Sequence, residues 1–193
     1  MIVKGQKMEE IMSDALVIID MQNDYFTGGN MELSGIDVAA ENTKKILLFY
    51  RKRAKPVYHI QHFSNYEGAA FFVPNTTGVE INALLIPLES EKVIKKHFPN
   101  SFRETNLLEE LQAANINHLT ICGAMSHFCV DATTRAAFDL GFRCTLVTDA
   151  CATRDLTFEG TKIPADFVHG AFMAALSPVY ARLKKTEEIM TEA

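Results

Sequence analysis

Three side chains with complementary chemistry follow predicted strands or open a predicted helix. Asp20 comes directly after the apolar run 15–19, Lys96 ends a short strand-like run, and Cys129 follows the turn sequence 123–128. A thiol becomes a nucleophile when a neighbouring base takes its proton. A lysine ammonium stabilises a nearby carboxylate or thiolate. If these side chains meet, they are suited to nucleophilic attack on a carbonyl carbon.

Each of these residues also has an ordinary structural interpretation. A carboxylate at Asp20 can cap a helix or anchor a loop, and Asp24 is the more typical turn former of the two. Lys95 and Lys96 point to opposite faces of a strand, so spacing alone selects neither. A buried cysteine is usually a small apolar residue. Cys129 differs because the amides at a helix N-terminus favour a thiolate and can donate to an oxyanion.

The histidines and glycines form no recognised metal or nucleotide motif. His59 and His62 are three positions apart, so on a flat strand they face opposite ways. The remaining histidines lack ligand spacing: His97, His118, His127 and His169. The sequence contains no His-Glu-x-x-His pattern, phosphate loop, nucleophile elbow or dinucleotide fingerprint. We therefore predict neither a metal nor any other cofactor.

Short apolar runs alternate with longer amphipathic segments along the chain. Strands are predicted at 15–19, 56–62, 91–96, 118–122, 142–147 and, at an edge, 178–182. Helices are predicted at 37–53, after an N-cap at Thr105, at 126–140 before Gly141, and from Pro164 to Ala175. This alternation predicts a three-layer, doubly wound (Rossmann-like) α/β sandwich whose central six-stranded sheet is mostly parallel.

In such a sheet the functional site lies outside the carboxyl ends of the strands, where the strand order reverses. Asp20 ends the first strand, Lys96 ends the third, and 123–129 joins the fourth strand to its helix. The topology therefore predicts that these groups converge on one edge of the sheet. The segment Phe63–Leu88 is the least regular part of the chain and is predicted to be a loop or lid over that edge.

Composition limits the class of protein. The chain has 193 residues, a net charge of −5, and 48% hydrophobic and 22% charged residues. These values predict one globular domain, 1–193, in which 1–14 is an N-terminal extension. The acidic balance offers no basic surface for nucleic acid or an anionic membrane. No apolar run approaches the roughly 18 residues of a membrane span.

Cysteine usage and the N-terminus predict a cytoplasmic location. The residues 1–14 do not resemble a secretory signal. The four cysteines include no C-x-x-C pair and are interpreted as free thiols: Cys122, Cys129, Cys144 and Cys151. Apart from Cys129, they are expected to be small buried residues.

The order and content of three motifs resemble those of the isochorismatase-like cysteine hydrolases, in the nicotinamidase/isochorismatase superfamily. The motifs are IIDMQNDYF at 18–26, KHFPNSF at 96–102 and CGAMSHFCV at 122–130. The similarity covers roughly 15–182, nearly the whole chain. It implies a catalytic aspartate at Asp20 and a nucleophile at Cys129. It also implies a lysine before a Ser/Asn-x-Phe element, which selects Lys96 over Lys95.

The third motif implies further features of the site. A cis peptide is expected between Ala124 and Met125, with the amides of Met125 and Cys129 forming an oxyanion hole. The resemblance also implies a small-molecule substrate and a homo-oligomer, either a dimer or a tetramer. Candidate substrate contacts, although such residues more often pack in a core or loop, are Phe26, Gln61, His62 and Phe128.

The presence of Cys129 favours hydrolysis of a small amide, ureido or related C–N bond through a covalent acyl-enzyme. The alternative is isochorismatase-type cleavage of a vinyl ether, which needs acid–base groups but no thiol. A non-catalytic interaction protein on the same scaffold and a thiol redox protein are further alternatives. Nicotinamidases resemble one another in an Asp-x-His metal motif, but 57–63 reads VYHIQHF. Metal-dependent nicotinamide hydrolysis is therefore not predicted.

Overall fold

A computed structural model describes residues 13–191 of the protein. Within them the strands are β1 (Asp14–Ile19), β2 (Val57–His62), β3 (Lys92–Lys96), β4 (His118–Ala124), β5 (Arg143–Ala152), β6 (Leu156–Phe158), β7 (Thr161–Ile163) and β8 (Arg182–Lys184). The α-helices are α1 (Ile36–Lys52), α2 (Leu107–Ala113), α3 (Asp131–Asp139), α4 (Ala165–Leu176) and α5 (Thr186–Thr191). Positions 1–12 of the predicted extension lie outside the described residues, and Asp14 already belongs to β1.

One sheet contains six of these strands in the spatial order β3-β2-β1-β4-β5-β8, and every neighbouring pair is parallel. Right-handed crossovers put α1 on one face of the sheet and α2 and α3 on the other. The predicted doubly wound α/β sandwich is therefore confirmed. The strand order reverses between β1 and β4, so the carboxyl ends of these strands are where a site is expected.

The core is built around β1, which has a paired strand on each side. Its residues from Ala15 to Ile19 are at most 2% exposed. Helices cover both faces of the sheet, which explains why this run is continuously apolar. In α1 the buried residues recur at helical spacing from Ile36 to Tyr50, so one side of the helix faces the sheet. No helix in the described part of the chain is long and apolar enough to span a membrane.

The predicted edge strand at 178–182 is wrong in its bounds, because β8 spans Arg182–Lys184. After α4 the chain first makes a turn in which the Tyr180 amide donates to the Leu176 carbonyl at 2.9 Å. This bond extends the helical path by one turn. Pairing with β5 therefore begins only at Arg182.

Two other elements differ from their predicted bounds. β5 continues to Ala152 rather than ending at Val147, because β4 also extends and Gly123 pairs with Cys151 after a shift in register. The predicted helix at 126–140 consists of a π-helical turn followed by α3. A short antiparallel hairpin, β6–β7, was not predicted.

The N-cap of α2 is Asn106 rather than the predicted Thr105. Thr105 still contributes to this end of the helix, because its Oγ1 accepts a hydrogen bond from the Leu107 amide at 3.3 Å. The difference is one residue, and the polar side chain identified from the sequence retains part of the capping function.

The segment 63–88 contains no α-helix or β-strand and follows an irregular path, as predicted. Its regular parts are two short 3-10 helices, Thr77–Val79 and Ala83–Leu85. The Asp24 carboxylate accepts a hydrogen bond from the Phe72 amide at 2.6 Å, and the Gln22 side chain donates to the Val79 carbonyl at 2.7 Å. These bonds tie the segment to the loop and 3-10 turn that follow β1. Its opening as a lid remains a prediction.

Candidate active site

Asp20 lies at the carboxyl end of β1, where the strand order reverses. Its amide donates to the Ile60 carbonyl in β2 at 3.0 Å, and its φ of 51° turns the chain out of the strand. The residue is completely buried. A carboxylate in this environment requires a partner that offsets the loss of water.

Lys96, the last residue of β3, is that partner. Its Nζ lies 2.9 Å from Asp20 Oδ2 and donates to the Pro99 carbonyl at 3.1 Å. Neither charged side chain is accessible to solvent. Lys95 is exposed, and its Nζ lies 5.4 Å from the centre of the Phe63 ring. Of the two lysines, Lys96 is the one positioned beside Asp20, and its role in catalysis remains a prediction.

Cys129 lies beside this ion pair in the π-helical turn Ser126–Val130, which follows β4. The residue is 1% exposed. The peptide bond between Ala124 and Met125 is cis, as the resemblance implies. The Met125 carbonyl accepts the Val130 amide at 3.2 Å, which closes the turn around Cys129. The turn therefore presents the sulfur at the same edge of the sheet as Asp20.

Side-chain hydrogen bonds hold the start of this turn. Ser126 Oγ donates to the Ala152 carbonyl at 3.2 Å and pairs with His169 Nδ1 at 2.8 Å. Because a hydroxyl carries one hydrogen, the bond to Ala152 makes His169 Nδ1 the donor in the second bond. His127 Nδ1 pairs with Thr153 Oγ1 at 2.5 Å. The turn is thus attached to β5 and to α4 by contacts that no sequence motif indicated.

His62, at the end of β2, is a further ionisable group at the site. Its Nδ1 lies 3.7 Å from Asp20 Oδ2 and 4.0 Å from Cys129 Sγ. The Gln22 side chain accepts the His62 amide and donates to the His62 carbonyl, each at 2.8 Å, which fixes the end of the strand. Sequence reasoning identified His62 only as a substrate contact. In the sheet, His62 of β2 pairs with Lys96 of β3. This register would have placed His62 beside the other site residues, but it is visible only in the structure.

Burial and charge together set the protonation states of the site. Burial acts to raise the pKa of Asp20, but Lys96 and His62 outweigh it, so that pKa is lowered. Burial acts against the charge of Lys96, yet Asp20 and Cys129 hold its pKa above the usual value. Burial raises the pKa of the Cys129 thiol, Asp20 raises it further, and Lys96 offsets only part. The resting site therefore contains a carboxylate, an ammonium and a neutral thiol.

The expectation that the helix N-terminus favours a Cys129 thiolate remains a prediction. The loss of water around a sulfur that is 1% exposed and the neighbouring Asp20 charge both raise the pKa of the thiol, and Lys96 offsets only part of that rise. The thiol consequently needs a base at the moment it reacts. Asp20 is an ionised carboxylate at the required position.

The same side chains have the composition of a metal-binding set. A carboxylate oxygen of Asp20, a ring nitrogen of His62 and the sulfur of Cys129 all lie within 4.8 Å of one another. The Asp-x-His pattern of nicotinamidases is missing from 57–63. A metal ion bound here would therefore use the proposed catalytic groups themselves. That the protein has no metal cofactor remains a prediction.

Comparison with known proteins identifies the family. A sequence model described as the Isochorismatase domain matches residues 14–183. The chain belongs to the isochorismatase family. It is 49% identical to the isochorismatase family protein YddQ of Bacillus subtilis, over 93% of this chain and 99% of YddQ. A crystal structure from Oleispira antarctica is 44% identical with a TM-score of 0.90, covering 95% of this chain and 98% of that chain.

Relatives with named activities are hydrolases. A streptothricin hydrolase of Streptomyces noursei is 33% identical over 74% of this chain and 50% of its own length. The ureidoacrylate amidohydrolase of Cronobacter sakazakii is 27% identical over 70% of this chain and 73% of its own length. Membership of the isochorismatase family makes this protein a hydrolase.

The predicted substrate contacts of this isochorismatase-family hydrolase have different surroundings. His62 faces the catalytic candidates, and Phe128, adjacent to Cys129 in the chain, is 49% exposed. Phe26 belongs to the hydrophobic core, and the Gln61 side chain donates to the Val79 carbonyl at 2.9 Å. Phe26 and Gln61 thus have structural roles. Substrate binding by any of these residues remains a prediction.

A groove of about 1010 Å³ lies at the opposite end of the sheet. It is lined by residues at the start of β4, β5 and β8, among them His118, Arg143 and Arg182. Because parallel strands all begin at the same edge, this groove is separated from Asp20 and Cys129 by the length of the sheet. In this isochorismatase-family fold it is therefore not part of the candidate active site.

Proposed function

We propose that the protein hydrolyses a small amide, ureido or related C–N bond through an acyl-enzyme on Cys129. The observation that carries the proposal is the buried ion pair of Asp20 and Lys96, with Oδ2 and Nζ 2.9 Å apart, beside a neutral thiol. An Asp20 oxygen and Cys129 Sγ lie within 4.8 Å of each other. A base held ionised next to a protonated thiol is the arrangement that acyl transfer to sulfur requires.

Acylation uses these groups in one sequence. Asp20 accepts the thiol proton as Cys129 Sγ bonds to the carbonyl carbon, and the carbonyl electron pair moves to oxygen. The amides of Met125 and Cys129 donate to this oxyanion, an interaction that contributes roughly 3–4 kcal/mol per donor at comparable sites. Lys96 stabilises the charges around Asp20. When the intermediate collapses, the C–N bond breaks and the leaving nitrogen takes the proton from Asp20.

Deacylation reverses the direction of proton transfer. Water attacks the thioester carbon while Asp20 accepts its proton, which forms a second tetrahedral oxyanion. Collapse of this intermediate expels the Cys129 thiolate, which recovers the proton from Asp20. The products are an amine and a carboxylic acid, or a carbamic acid from a ureido substrate. The site returns to its initial protonation state.

The relatives support this class of substrate. One is named as an amidohydrolase of ureidoacrylate and another as a hydrolase of streptothricin. For this chain we infer a small-molecule substrate with a hydrolysable C–N bond. The buried position of Cys129, 1% exposed, favours small substrates over peptide segments of folded proteins.

Mass spectrometry of the acid-quenched protein, both intact and after digestion to peptides, tests for the acyl-enzyme. With a panel of small amides and ureido compounds, the wild-type chain is expected to gain the mass of the acyl group on the peptide that contains Cys129. Cys129→Ala is expected to form no adduct and to lose turnover by at least roughly 1,000-fold. Cys144→Ala is the matched control, because Cys144 is a buried cysteine at the opposite end of the sheet. Its turnover is expected to be unchanged.

Amide turnover by Cys129→Ala at the wild-type rate would contradict the covalent mechanism. Vinyl-ether hydrolysis is the second candidate, because the family model carries the isochorismatase name and the Asp20–Lys96 pair supplies acid–base chemistry without a thiol. It is favoured if Cys129→Ala cleaves a vinyl ether as fast as the wild type does. The same variant therefore separates the two reactions.

A further inference from the structure

The side chains around Cys129 have the composition of a site for a thiophilic metal ion. Thiolate sulfur, imidazole nitrogen and carboxylate oxygen are the donors that Zn²⁺ uses in proteins. Cys129, His62 and Asp20 present one of each within 4.8 Å. We propose that these three residues bind Zn²⁺ and that the ion inhibits the hydrolase by occupying its nucleophile. The inhibition rests on the proposed function, whereas the binding does not.

Two of the three distances between donor atoms, those that involve His62, are close to those of a tetrahedral zinc site. With Zn–N and Zn–S bonds of the usual lengths, donors at tetrahedral angles are roughly 3.4–3.6 Å apart. His62 Nδ1 lies 3.7 Å from Asp20 Oδ2 and 4.0 Å from Cys129 Sγ. An Asp20 oxygen and Cys129 Sγ lie within 4.8 Å of each other, so side-chain rotations must bring this third pair closer for the three donors to bind one ion. Water supplies the fourth ligand.

Contacts to the backbone and ring of His62 favour this role. Histidine ligands are held in one orientation by neighbouring groups. Gln22 fixes the His62 backbone through two bonds of 2.8 Å, and the Phe72 ring lies 5.8 Å from the imidazole ring. Coordination requires the tautomer with its proton on Nε2, in which the Nδ1 lone pair faces Asp20 and Cys129. The His62 side chain is 13% exposed, which gives an ion a route to donors that are otherwise buried.

Two groups of the site, the Asp20 carboxylate and the Cys129 thiol, can serve as anionic ligands of a divalent cation. Asp20 Oδ1 is buried and has no hydrogen-bond partner among residues 13–191, so rotation of the carboxylate can direct this oxygen at the ion while Oδ2 keeps its contact with Lys96. On binding, the S–H bond of Cys129 breaks, a Zn–S bond forms, and the proton passes to solvent. The carboxylate and the thiolate then face both the ion and the Lys96 ammonium, so the loaded site keeps one net positive charge. Lys96 keeps its contact with the same carboxylate, 2.9 Å from Oδ2.

An ion held by these ligands blocks the reaction, whereas a metal cofactor assists it. A sulfur bonded to Zn²⁺ has no free lone pair directed at a substrate carbonyl, and Asp20 bonded to the ion no longer accepts the thiol proton. Both steps of the acylation are therefore blocked at once. Zn²⁺ acts here as a reversible inhibitor of the hydrolase.

Metal titration of the purified chain tests the site without a substrate. CoCl₂ in a chelator-free buffer is expected to produce a thiolate-to-Co²⁺ charge-transfer band that saturates at about one ion per chain. ZnCl₂ is expected to abolish the band by competition. It is also expected to slow the alkylation of Cys129 by iodoacetamide at pH 10, where the thiolate fraction is larger, as measured by peptide mass spectrometry. The internal references are Cys122, Cys144 and Cys151.

Two substitutions identify the ligands. His62→Gln removes the imidazole and keeps the backbone groups that bind Gln22, and it is expected to weaken Zn²⁺ binding by at least roughly 100-fold. Cys129→Ser is expected to eliminate the charge-transfer band. His97→Gln is the control, since His97 is an exposed histidine outside the cluster, and wild-type affinity is expected.

The outcomes separate this inference from the proposed function. Wild-type Zn²⁺ affinity in His62→Gln, or a Co²⁺ complex without a thiolate band, overturns the metal site. If Zn²⁺ protects Cys129 and no C–N substrate is turned over, the proposed function fails and the metal site stands. If turnover requires Cys129 and Zn²⁺ does not inhibit it, the inference fails and the proposed function stands.

Discussion

At the scale of single residues, the site combines a charged base with an uncharged nucleophile. Asp20 and Lys96 pair without solvent access, and burial keeps the proton on Cys129. A carboxylate and a thiolate side by side repel each other, so the thiolate is disfavoured until a substrate carbonyl accepts its charge. The nucleophile is therefore generated by the arrival of a substrate, which protects the thiol from adventitious electrophiles in the meantime.

Replacing Asp20 with Asn is expected to separate thiol reactivity from turnover. The substitution removes the negative charge that raises the pKa of Cys129 and leaves the Lys96 ammonium, so the thiolate fraction at pH 7 increases. We expect iodoacetamide to alkylate Cys129 at least roughly 10-fold faster in Asp20→Asn than in the wild type, while hydrolysis is lost. Peptide mass spectrometry between pH 6 and 10 measures both rates, with Cys144 as reference. Slower alkylation in the variant would show that Asp20 activates the thiol before substrate binds.

Lys96→Met is expected to lower both stability and turnover, whereas Lys95→Met is expected to change stability little. Removing the Lys96 ammonium leaves the buried Asp20 charge without its partner, which costs about 3–5 kcal/mol of unfolding free energy at such positions. Turnover is expected to fall by at least roughly 100-fold. Lys95 is exposed, so its substitution is expected to change stability by less than about 0.5 kcal/mol. Urea unfolding measures the loss of stability, and kcat/KM measures the loss of turnover. Equal losses in both variants would contradict the placement of Lys96 beside Asp20.

The sequence located the side chains of the candidate site more reliably than their chemical states. Motif order identified Asp20, Lys96 and Cys129, and the structure places them together. The sequence indicates that Asp20 raises the pKa of Cys129 and that Lys96 lowers it, but the balance between them could not be predicted, because burial and distances between charges depend on tertiary packing. His59 and His62 diverge as their spacing implies. His59 binds Glu91 at 3.0 Å, and only His62 reaches the site.

At the scale of secondary-structure elements, Glu91 connects three parts of the fold just before β3 begins. Its carboxylate accepts two bonds from the Arg51 guanidinium of α1, at 2.7 and 2.8 Å, and contacts His59 of β2 at 3.0 Å. It also accepts the Leu88 amide at 2.9 Å. Because β3 carries Lys96 at its other end, this cluster holds the edge strand that supplies the ammonium to the site.

Glu91→Gln is expected to lower stability in a pH-dependent way. Burial acts to raise the pKa of Glu91, but Arg51 and the other donors lower it from 4.5 to about 2. A carboxylate with a depressed pKa stabilises the fold above its unfolded pKa and loses that contribution as pH falls through the folded value. Urea unfolding is therefore expected to show a deficit of about 1–3 kcal/mol at pH 7. The deficit should shrink between pH 4.5 and about 2.

The control for this prediction is Glu110→Gln. Glu110 contacts Lys92 at 3.2 Å in a largely exposed pair, so its substitution is expected to change stability by less than about 0.5 kcal/mol at either pH. A Glu91→Gln deficit that stays constant down to pH 2 would be inconsistent with an ionised, buried Glu91. Loss of the deficit already at pH 5 would be inconsistent with a lowered pKa.

The elements that the sequence placed correctly along the chain, even where their ends differ, are those with a hydrophobic pattern of their own. β1 to β5 each contain apolar or β-branched residues between polar flanks, and α1 shows helical spacing. β8 has three residues, Arg182–Lys184, with one apolar side chain, so pairing with β5 rather than local preference defines it. The π-helical turn at 126–130 has nearly the periodicity of an α-helix. Local sequence therefore does not distinguish the two.

At the scale of the whole molecule, the single domain, the cytoplasmic location and the homo-oligomer remain predictions. Light scattering coupled to size exclusion tests the oligomer directly. We expect a mass of two or four times the 21.5 kDa chain, as the resemblance implies. The strongly exposed Phe158 and Phe167, at 67% and 73%, are consistent with burial in such an interface. A mass of one chain at micromolar concentration contradicts the prediction.

The all-parallel sheet has a consequence for the order in which the protein folds. The groups of the site come from the ends of β1, β2 and β3 and from the turn after β4, so each crossover must close before they meet. Helices form from contacts within one segment, whereas parallel pairing waits for long chain segments to close and is slow. During refolding from urea, helical circular dichroism should therefore recover first. Hydrolysis should recover last, which makes catalysis a kinetic reporter of sheet completion.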